Sequence, residues 1–297
     1  MNARLWSIAV VLVAGAAAAQ QPTLTRDPQS GFYSITYRDE SGATRSVAFQ
    51  GIDQVVPDLS VSLSGASTFV YRYQVGNAVS AKEPIWSLNL ACDKDSSSVP
   101  GARPIRVWDS VRAGLPGPLV HYCRVRLSDL KRSVPGIAPG TRDAGVVALQ
   151  SAWLPGIRQS EAIGSADLPM FPGFSDETPE IIADLYQSTQ SPLVFWTVSP
   201  KYPPAAFSDP AQAVNALLDE LAKACSLGWI SPDGICNSLR VKLEGAQAAL
   251  AVGDRAGAAQ RLQTYASELQ AQSGRHVPEI FANAMAFDVA YVQQALK

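Results

Sequence analysis

The chain has 297 residues, a formal net charge of −2 and a hydrophobic fraction of 47%. This composition excludes a disordered chain, and the absence of any run of Lys and Arg argues against nucleic acid or an anionic membrane as partner. The length is sufficient for one large domain or two ordinary ones.

The first segment has the features of a cleavable secretory signal. Arg4 precedes an apolar run from Leu5 to Ala19, which ends in four alanines before Gln20. At about 15 residues this run is shorter than the roughly 20 that a bilayer core requires, which argues against a membrane anchor. We therefore assign residues 1–19 to a signal peptide. The mature chain is expected to be secreted, periplasmic or on the cell surface, with no membrane span after cleavage.

Residues 20–199 show short alternating apolar runs separated by Gly, Pro, Asn and Asp, which is typical of β structure. The predicted strands are Phe32–Tyr37, Ser46–Phe49, Thr68–Val75, Ile85–Leu90, Ile105–Trp108, Tyr122–Leu127, Ala144–Leu154 and Leu193–Val198. A short helix is expected over Thr178–Ser188, with Ile181, Ile182 and Leu185 facing inward. The spacing favours an antiparallel β-sandwich. A single domain, in which a sheet is covered by the C-terminal helices, is the alternative.

The pattern changes after the prolines of residues 200–209, which we interpret as a stiff linker. Residues 210–297 repeat apolar positions with a period of about 3.6 and predict four helices in a small antiparallel bundle. Gly253 and Gly274 are expected to end the second and third of these helices. The predicted fold class is therefore α+β and multidomain, with a sandwich domain followed by a helical domain.

Four cysteines fall as two local pairs, Cys92 with Cys123 and Cys225 with Cys236. In an exported chain such cysteines are expected to form disulfides, and the sequential pairing would place one bridge in each predicted domain. A metal site is disfavoured because there is no C-x-x-C, and His121 and His276 lie far apart in sequence. We expect no metal and no cofactor.

The helical region carries a run that resembles a known module. It reads GWISPDGICNSLRVKLEGAQAALAVGDRAGAAQRLQTYASELQAQSGRHV and lies within residues 215–295. In the order and spacing of its Gly, Leu and Ala positions it is similar to the FIMAH domain, a C-terminal helical module of exported bacterial proteins. The resemblance implies a helical accessory domain beside an unrelated extracellular domain, and it carries over no catalytic residue.

Few residues point to catalysis. There is no G-x-S-x-G motif, and neither histidine has a visible partner for acid–base chemistry. Asp176, Glu177 and Glu180 could provide the pair of carboxylates that glycoside hydrolysis requires. The alternative is that they form a solvated turn with acids at a helix start. Aromatic residues that could stack on sugars are Trp86, Trp108, Trp153 and Trp196, and a role in the hydrophobic core is the alternative.

These observations favour a non-catalytic binding or surface-associated protein. Its partner would be an unidentified extracellular protein or a glycan. The second hypothesis is a secreted hydrolase that uses the carboxylates near residues 176–180. The third is a structural component of an envelope assembly, which exposed apolar patches would support.

Overall fold

The computed structural model describes residues 21–65, 68–110, 120–128, 136–165 and 169–297, without the side chains of residues 108–110 and 120. The predicted signal peptide lies outside the described residues. Within them the chain forms twelve strands in three antiparallel sheets, and five α-helices. The α+β class is confirmed, with a strand-rich N-terminal part and helices towards the C-terminus. None of these helices combines the length and apolar character that crossing a bilayer requires.

Contacts between Cα atoms divide the chain into two units. The first consists of Met1–Phe49 and Leu168–Thr189, and the second of Gln50–Asp167 and Gln190–Lys297. The division therefore does not fall at residues 200–209. Those residues include the end of a strand and a short 3₁₀ helix, Pro204–Phe207, whose Phe207 is buried.

The first unit is a small sheet with one helix. Its elements are β1 (Thr23–Arg26), β2 (Tyr33–Arg38), β3 (Thr44–Phe49) and α1 (Glu180–Ser188). The sheet order is β1-β2-β3. The buried core contains Ile35, Tyr37, Phe49 and Ile182. Ile181, expected to face inward, is instead exposed, because the next residue, Ile182, occupies the narrow stripe of α1 that meets the sheet.

The second unit contains two sheets. Its strands are β4 (Pro57–Ser64), β5 (Phe69–Asn77), β6 (Ile85–Cys92), β7 (Ser97–Ser98), β8 (Ile105–Ser110), β9 (Val120–Arg126), β10 (Val147–Ser151), β11 (Leu154–Gly164) and β12 (Leu193–Tyr202). One sheet has the order β4-β5-β10-β7, and the other β12-β11-β6-β9-β8. The single strand expected over Ala144–Leu154 is in fact two, β10 and the start of β11, and they belong to different sheets.

The C-terminal helices match the predicted apolar stripes. They are α2 (Pro210–Ser226), α3 (Asp233–Ala251), α4 (Arg255–Gln272) and α5 (Glu279–Ala295). Asp209 caps α2 by accepting the N–H of Ala211 at 2.9 Å, and Pro210 occupies its first turn. Gly253 and Gly274 follow α3 and α4 with φ of 77° and 75°, the left-handed conformation that ends helices.

These helices share one hydrophobic core with the strands of the second unit. Phe69 of β5 packs edge-on against Phe287 and Tyr291 of α5, with ring centroids 5.2 and 6.3 Å apart. Both disulfides lie in this unit, with Cα–Cα distances of 5.8 Å for Cys92–Cys123 and 6.2 Å for Cys225–Cys236. The expected pairing of the four cysteines is therefore present.

A buried carboxylate joins α2 to the sheet. Glu220 is 1% exposed and accepts the backbone N–H of Ile157 at 2.6 Å, the hydroxyl of Tyr202 at 2.6 Å and the ammonium of Lys201 at 2.5 Å. β11 pairs with β6 only over Glu161–Gly164, so N–H groups nearer the start of β11 need partners outside that strand. Glu220 provides one such partner from α2.

A second carboxyl group in this core has no such donors. Asp288 of α5 is fully buried, and neither of its oxygens has a hydrogen-bond partner in the described part of the chain. Burial, and secondarily the charge of Glu220, raise the pKa of Asp288 well above its usual value. Burial therefore favours the neutral form of Asp288.

We expect Glu220→Ala to lower the free energy of unfolding by about 3–5 kcal/mol, because it leaves the ammonium of Lys201 and the N–H of Ile157 without their buried partner. Asp219→Asn is the matched control, since Asp219 is the neighbouring residue on α2 and is exposed; it should change stability by less than about 0.5 kcal/mol. Urea denaturation measures both. If Glu220→Ala lowered the free energy of unfolding as little as the control does, Glu220 would not be the residue that joins α2 to the sheet.

Asp288 should make stability depend on pH. The pKa of Asp288 is higher in the folded than in the unfolded state. Its contribution to the free energy of unfolding is therefore complete below its unfolded-state pKa and is lost as pH rises towards its folded-state pKa. Asp288→Asn should therefore gain stability relative to the parent protein as pH rises from about 4 to 8. Denaturation midpoints at several pH values test this, and parallel curves for the two proteins would contradict it.

Candidate functional site

The three carboxylates considered for hydrolysis lie in the first unit. Glu180 begins α1, and Asp176 and Glu177 precede it in the loop. All three are exposed to solvent. This setting favours the alternative of a solvated turn and a helix start.

The described tryptophans have separate surroundings. Trp86, Trp153 and Trp196 are each half-buried. Trp86 lies 5.6 Å from the guanidinium of Arg126, whereas Trp196 lies 3.8 Å from the ammonium of Lys223 on α2. The carbonyl of Trp153 accepts a hydrogen bond from Tyr71. The side chain of Trp108 is outside the described residues. The indoles of Trp86 and Trp196 therefore belong to different local contacts.

Three arginines come together on the β8–β9 side of the five-stranded sheet. Arg106 of β8 is the register partner of Arg124 on β9, and Arg126 is two residues further along β9. Residues two apart on a strand point to the same face, so the three guanidinium groups share one surface. Together with Pro104 and Ile105 they line a hollow of about 470 Å³. We call this hollow the arginine pocket.

Two residues of β6, Asn89 and Trp86, hold Arg124 and Arg126. The Nε of Arg124 donates to Oδ1 of the buried Asn89 at 3.0 Å, and Nδ2 of Asn89 donates to Oε2 of Glu161 at 2.8 Å. This chain fixes both the amide orientation of Asn89 and the direction of the Arg124 side chain. Trp86 supports Arg126 by the cation–π contact described above.

The arginine pocket has an excess of positive charge. All three arginines are exposed, and within the described part of the chain Arg106 and Arg126 form no ion pair. Like charges directly opposite each other on paired strands are destabilising. A guanidinium presents planar paired donors that match carboxylate, sulfate or phosphate oxygens. The pocket can therefore bind an anionic group, and such a group would offset the repulsion.

Another hollow, of about 610 Å³, lies between α2 and α3. Its lining combines apolar residues such as Leu218 and Ala222 with Asp219, Arg240 and Glu244. Charges of both signs are present, and Arg240 lies 3.8 Å from Glu244 on the same helix. Unlike the arginine pocket, this hollow therefore has no excess of positive charge.

Comparison with known proteins adds no function to this geometry. No protein-family model matches the chain, and no curated protein matches it. The resemblance of the helical region to the FIMAH domain therefore stays a prediction from the sequence.

The arginine pocket has no clear signal in the sequence. Arg106 is separated from Arg124 and Arg126 by 18 residues or more, so no run of basic residues marks them. The available signal was the alternation of Arg124 and Arg126 with Val125 on a strand that was correctly predicted. Which strand lies beside β9 is a matter of topology and was not predictable from that alternation.

We expect Arg106→Gln to stabilise the protein by about 0.2–1 kcal/mol at low salt, because it removes the charge opposite Arg124. The gain should shrink as salt rises. Arg72→Gln on β5 is the matched control: Arg72 is also exposed on a strand, but its register partners are Ser62 and Ala148. Denaturation at two salt concentrations measures the effect. Destabilisation by Arg106→Gln at low salt would contradict the repulsion.

Proposed function

We propose that the chain is an exported, non-catalytic binding protein that recognises an acidic glycan through the arginine pocket. The observation that carries the proposal is the facing of Arg106 and Arg124 beside Arg126, with no ion pair to Arg106 or Arg126 within the described residues. Clustered like charges cost stability, and proteins commonly retain such costs where function requires them.

The proposal includes an extracellular setting. The signal-like segment and the two disulfides support export, since disulfides persist in oxidising compartments. We further propose that the two sheets of the second unit form a β-sandwich and that α2–α5 form a FIMAH-like bundle. The apolar stripes of these helices and their short connections support the bundle.

An acidic glycan fits the pocket better than a long polyanion. The hollow contains three arginines. A protein that binds nucleic acid typically makes roughly six to ten phosphate contacts over a broad basic surface. The net charge of −2 also disfavours a long polyanion. A uronate or sulfated sugar offers one or two planar or tetrahedral anionic groups, which match a few guanidinium groups.

The test is binding of the purified mature protein to an array of uronate, sulfated and neutral oligosaccharides, followed by calorimetry on positive sugars. We expect binding to acidic sugars only, weakening as salt rises. Arg126→Gln should reduce affinity by about tenfold or more, the size of a lost charge-assisted hydrogen bond.

Arg72→Gln serves as the control and should bind like the parent protein. A positive result with poly-glutamate but no sugar would replace the glycan by an acidic protein as partner. Equal loss in Arg126→Gln and Arg72→Gln, or binding of neutral sugars alone, would contradict the arginine pocket as the site.

A further inference from the structure

A carboxyl group outside the arginine pocket is buried without a hydrogen bond. Glu83 lies in the β5–β6 loop, residues 78–84, and is 1% exposed. Neither of its side-chain oxygens has a hydrogen-bond partner in the described part of the chain, and no described Lys, Arg or His forms an ion pair with it. These surroundings favour the neutral form, because isolated buried charge is very unfavourable.

Two other segments pack closely around this carboxyl group. A Cβ added at Gly164 would lie 2.2 Å from Oε2 of Glu83 and 3.2 Å from Cγ1 of Val55, so these groups fill the position that a side chain would take. The N–H of Gly164 donates to the carbonyl of Ile52 at 2.8 Å, which joins this position to the segment of residues 52–56. Ionised Glu83 can therefore be hydrated only if one of the surrounding segments moves.

The β5–β6 loop is the segment best placed to move. Its backbone meets the 52–56 segment at Gln54, whose carbonyl accepts the N–H groups of Lys82 at 2.9 Å and Glu83 at 3.3 Å. Its tip is solvated, and Val79 there is 86% exposed. Segments with exposed tips and few buried contacts open at a lower free energy than core strands do. Moving this loop would expose Glu83 without separating the sheets.

The charges that act on Glu83 also favour its neutral form. Burial, and secondarily the charge of Asp53 in the 52–56 segment, raise the pKa of Glu83 to about 7. Lys82, the preceding residue of the loop, is exposed to solvent. Residues 163–165, on the side of Gly164, carry no charged side chain. Glu83 therefore changes its charge near neutral pH, whereas an exposed glutamate does so near about 4.3.

We propose that Glu83 is a pH-sensitive latch, which holds the β5–β6 loop closed while its carboxyl group is protonated and releases the loop when that group ionises. Ionisation gives the proton to solvent and leaves a charge for which the described residues offer no donor. Water can stabilise this charge only after the loop leaves the 52–56 segment, which breaks the hydrogen bonds from Lys82 and Glu83 to Gln54. In the extracellular setting proposed above, the loop would respond to the pH of the medium.

The raised pKa determines the direction of the switch. Because the pKa of Glu83 is higher in the closed loop than in an open one, the stabilisation of the closed loop is complete below about 4.5 and is lost as pH rises through about 7. Above pH 7 the ratio of open to closed loop should rise by up to about tenfold for each pH unit. The loop is therefore closed in acid and increasingly open in alkaline solution.

Hydrogen–deuterium exchange of the full mature protein, followed by NMR between about pH 5 and 8.5, tests the latch. The reporters are the N–H groups of Lys82 and Glu83, which exchange only when the loop opens. After correction for the intrinsic pH dependence of amide exchange, their protection should be constant in acid and fall by up to about tenfold per pH unit above pH 7. Amides inside α5 report global unfolding and should stay more strongly protected than those of the loop.

Two variants remove the titrating group. Glu83→Gln keeps the size of the side chain and cannot ionise, so the fall in protection above pH 7 should disappear. Glu83→Met is added because a buried amide without a partner can itself loosen the loop, whereas Met is apolar and of similar length; its curve should also be flat. Glu244→Gln, which changes an exposed carboxylate on α3, is the control and should keep the curve of the parent protein.

A parent curve that stays flat through pH 7, or a fall that persists in both Glu83 variants, would overturn the latch. Equal protection of the loop and α5 at every pH would overturn it as well, because the loop would then open only when the whole protein unfolds. Binding of acidic sugars is measured separately. Because the latch and the arginine pocket share no residue, failure of one proposal would not imply failure of the other.

Discussion

The second unit depends on the buried carboxylate of Glu220. It faces three donors from two strands, Ile157 on β11 and Lys201 and Tyr202 on β12, although it belongs to helix α2. Removing an unpaired carboxylate from water is costly, so this geometry is stable only when helix and sheet are assembled together. For this reason α2 cannot be regarded as part of a helical domain that is independent of the strands. The aromatic contacts of Phe69 with α5 act in the same direction.

Three buried carboxyl groups in this unit illustrate how surroundings determine charge state. Glu220 has an ammonium, a hydroxyl and a backbone N–H, so the ionised form is satisfied. Asp288 has no donor within the described residues, and its burial, together with the charge of Glu220, favours the neutral form. Glu83 also has no donor within the described residues, and its burial, together with the charge of Asp53, raises its pKa to about 7. The residue type alone distinguishes none of these cases.

Local patterns predicted the elements better than their assembly. The stripes containing Leu217, Leu243, Leu262 and Phe281 located all four C-terminal helices, because burial on one helical face leaves a periodic signal. β4 was overlooked although Leu59, Val61 and Leu63 alternate with polar residues within it. The shared core and the arginine pocket were not predictable, since both require knowing which distant segments become neighbours. The contacts of Glu220 and Arg106 have no local sequence signal.

Strand β6 supports the arginine pocket. It carries Trp86 beside Arg126 and Asn89 beside Arg124. Like charges on paired strands repel one another, so the positions of these guanidinium groups depend on such supports more than on mutual contacts. Because Trp86 and Asn89 already hold Arg126 and Arg124, less conformational entropy is lost when the two guanidinium groups bind an anion.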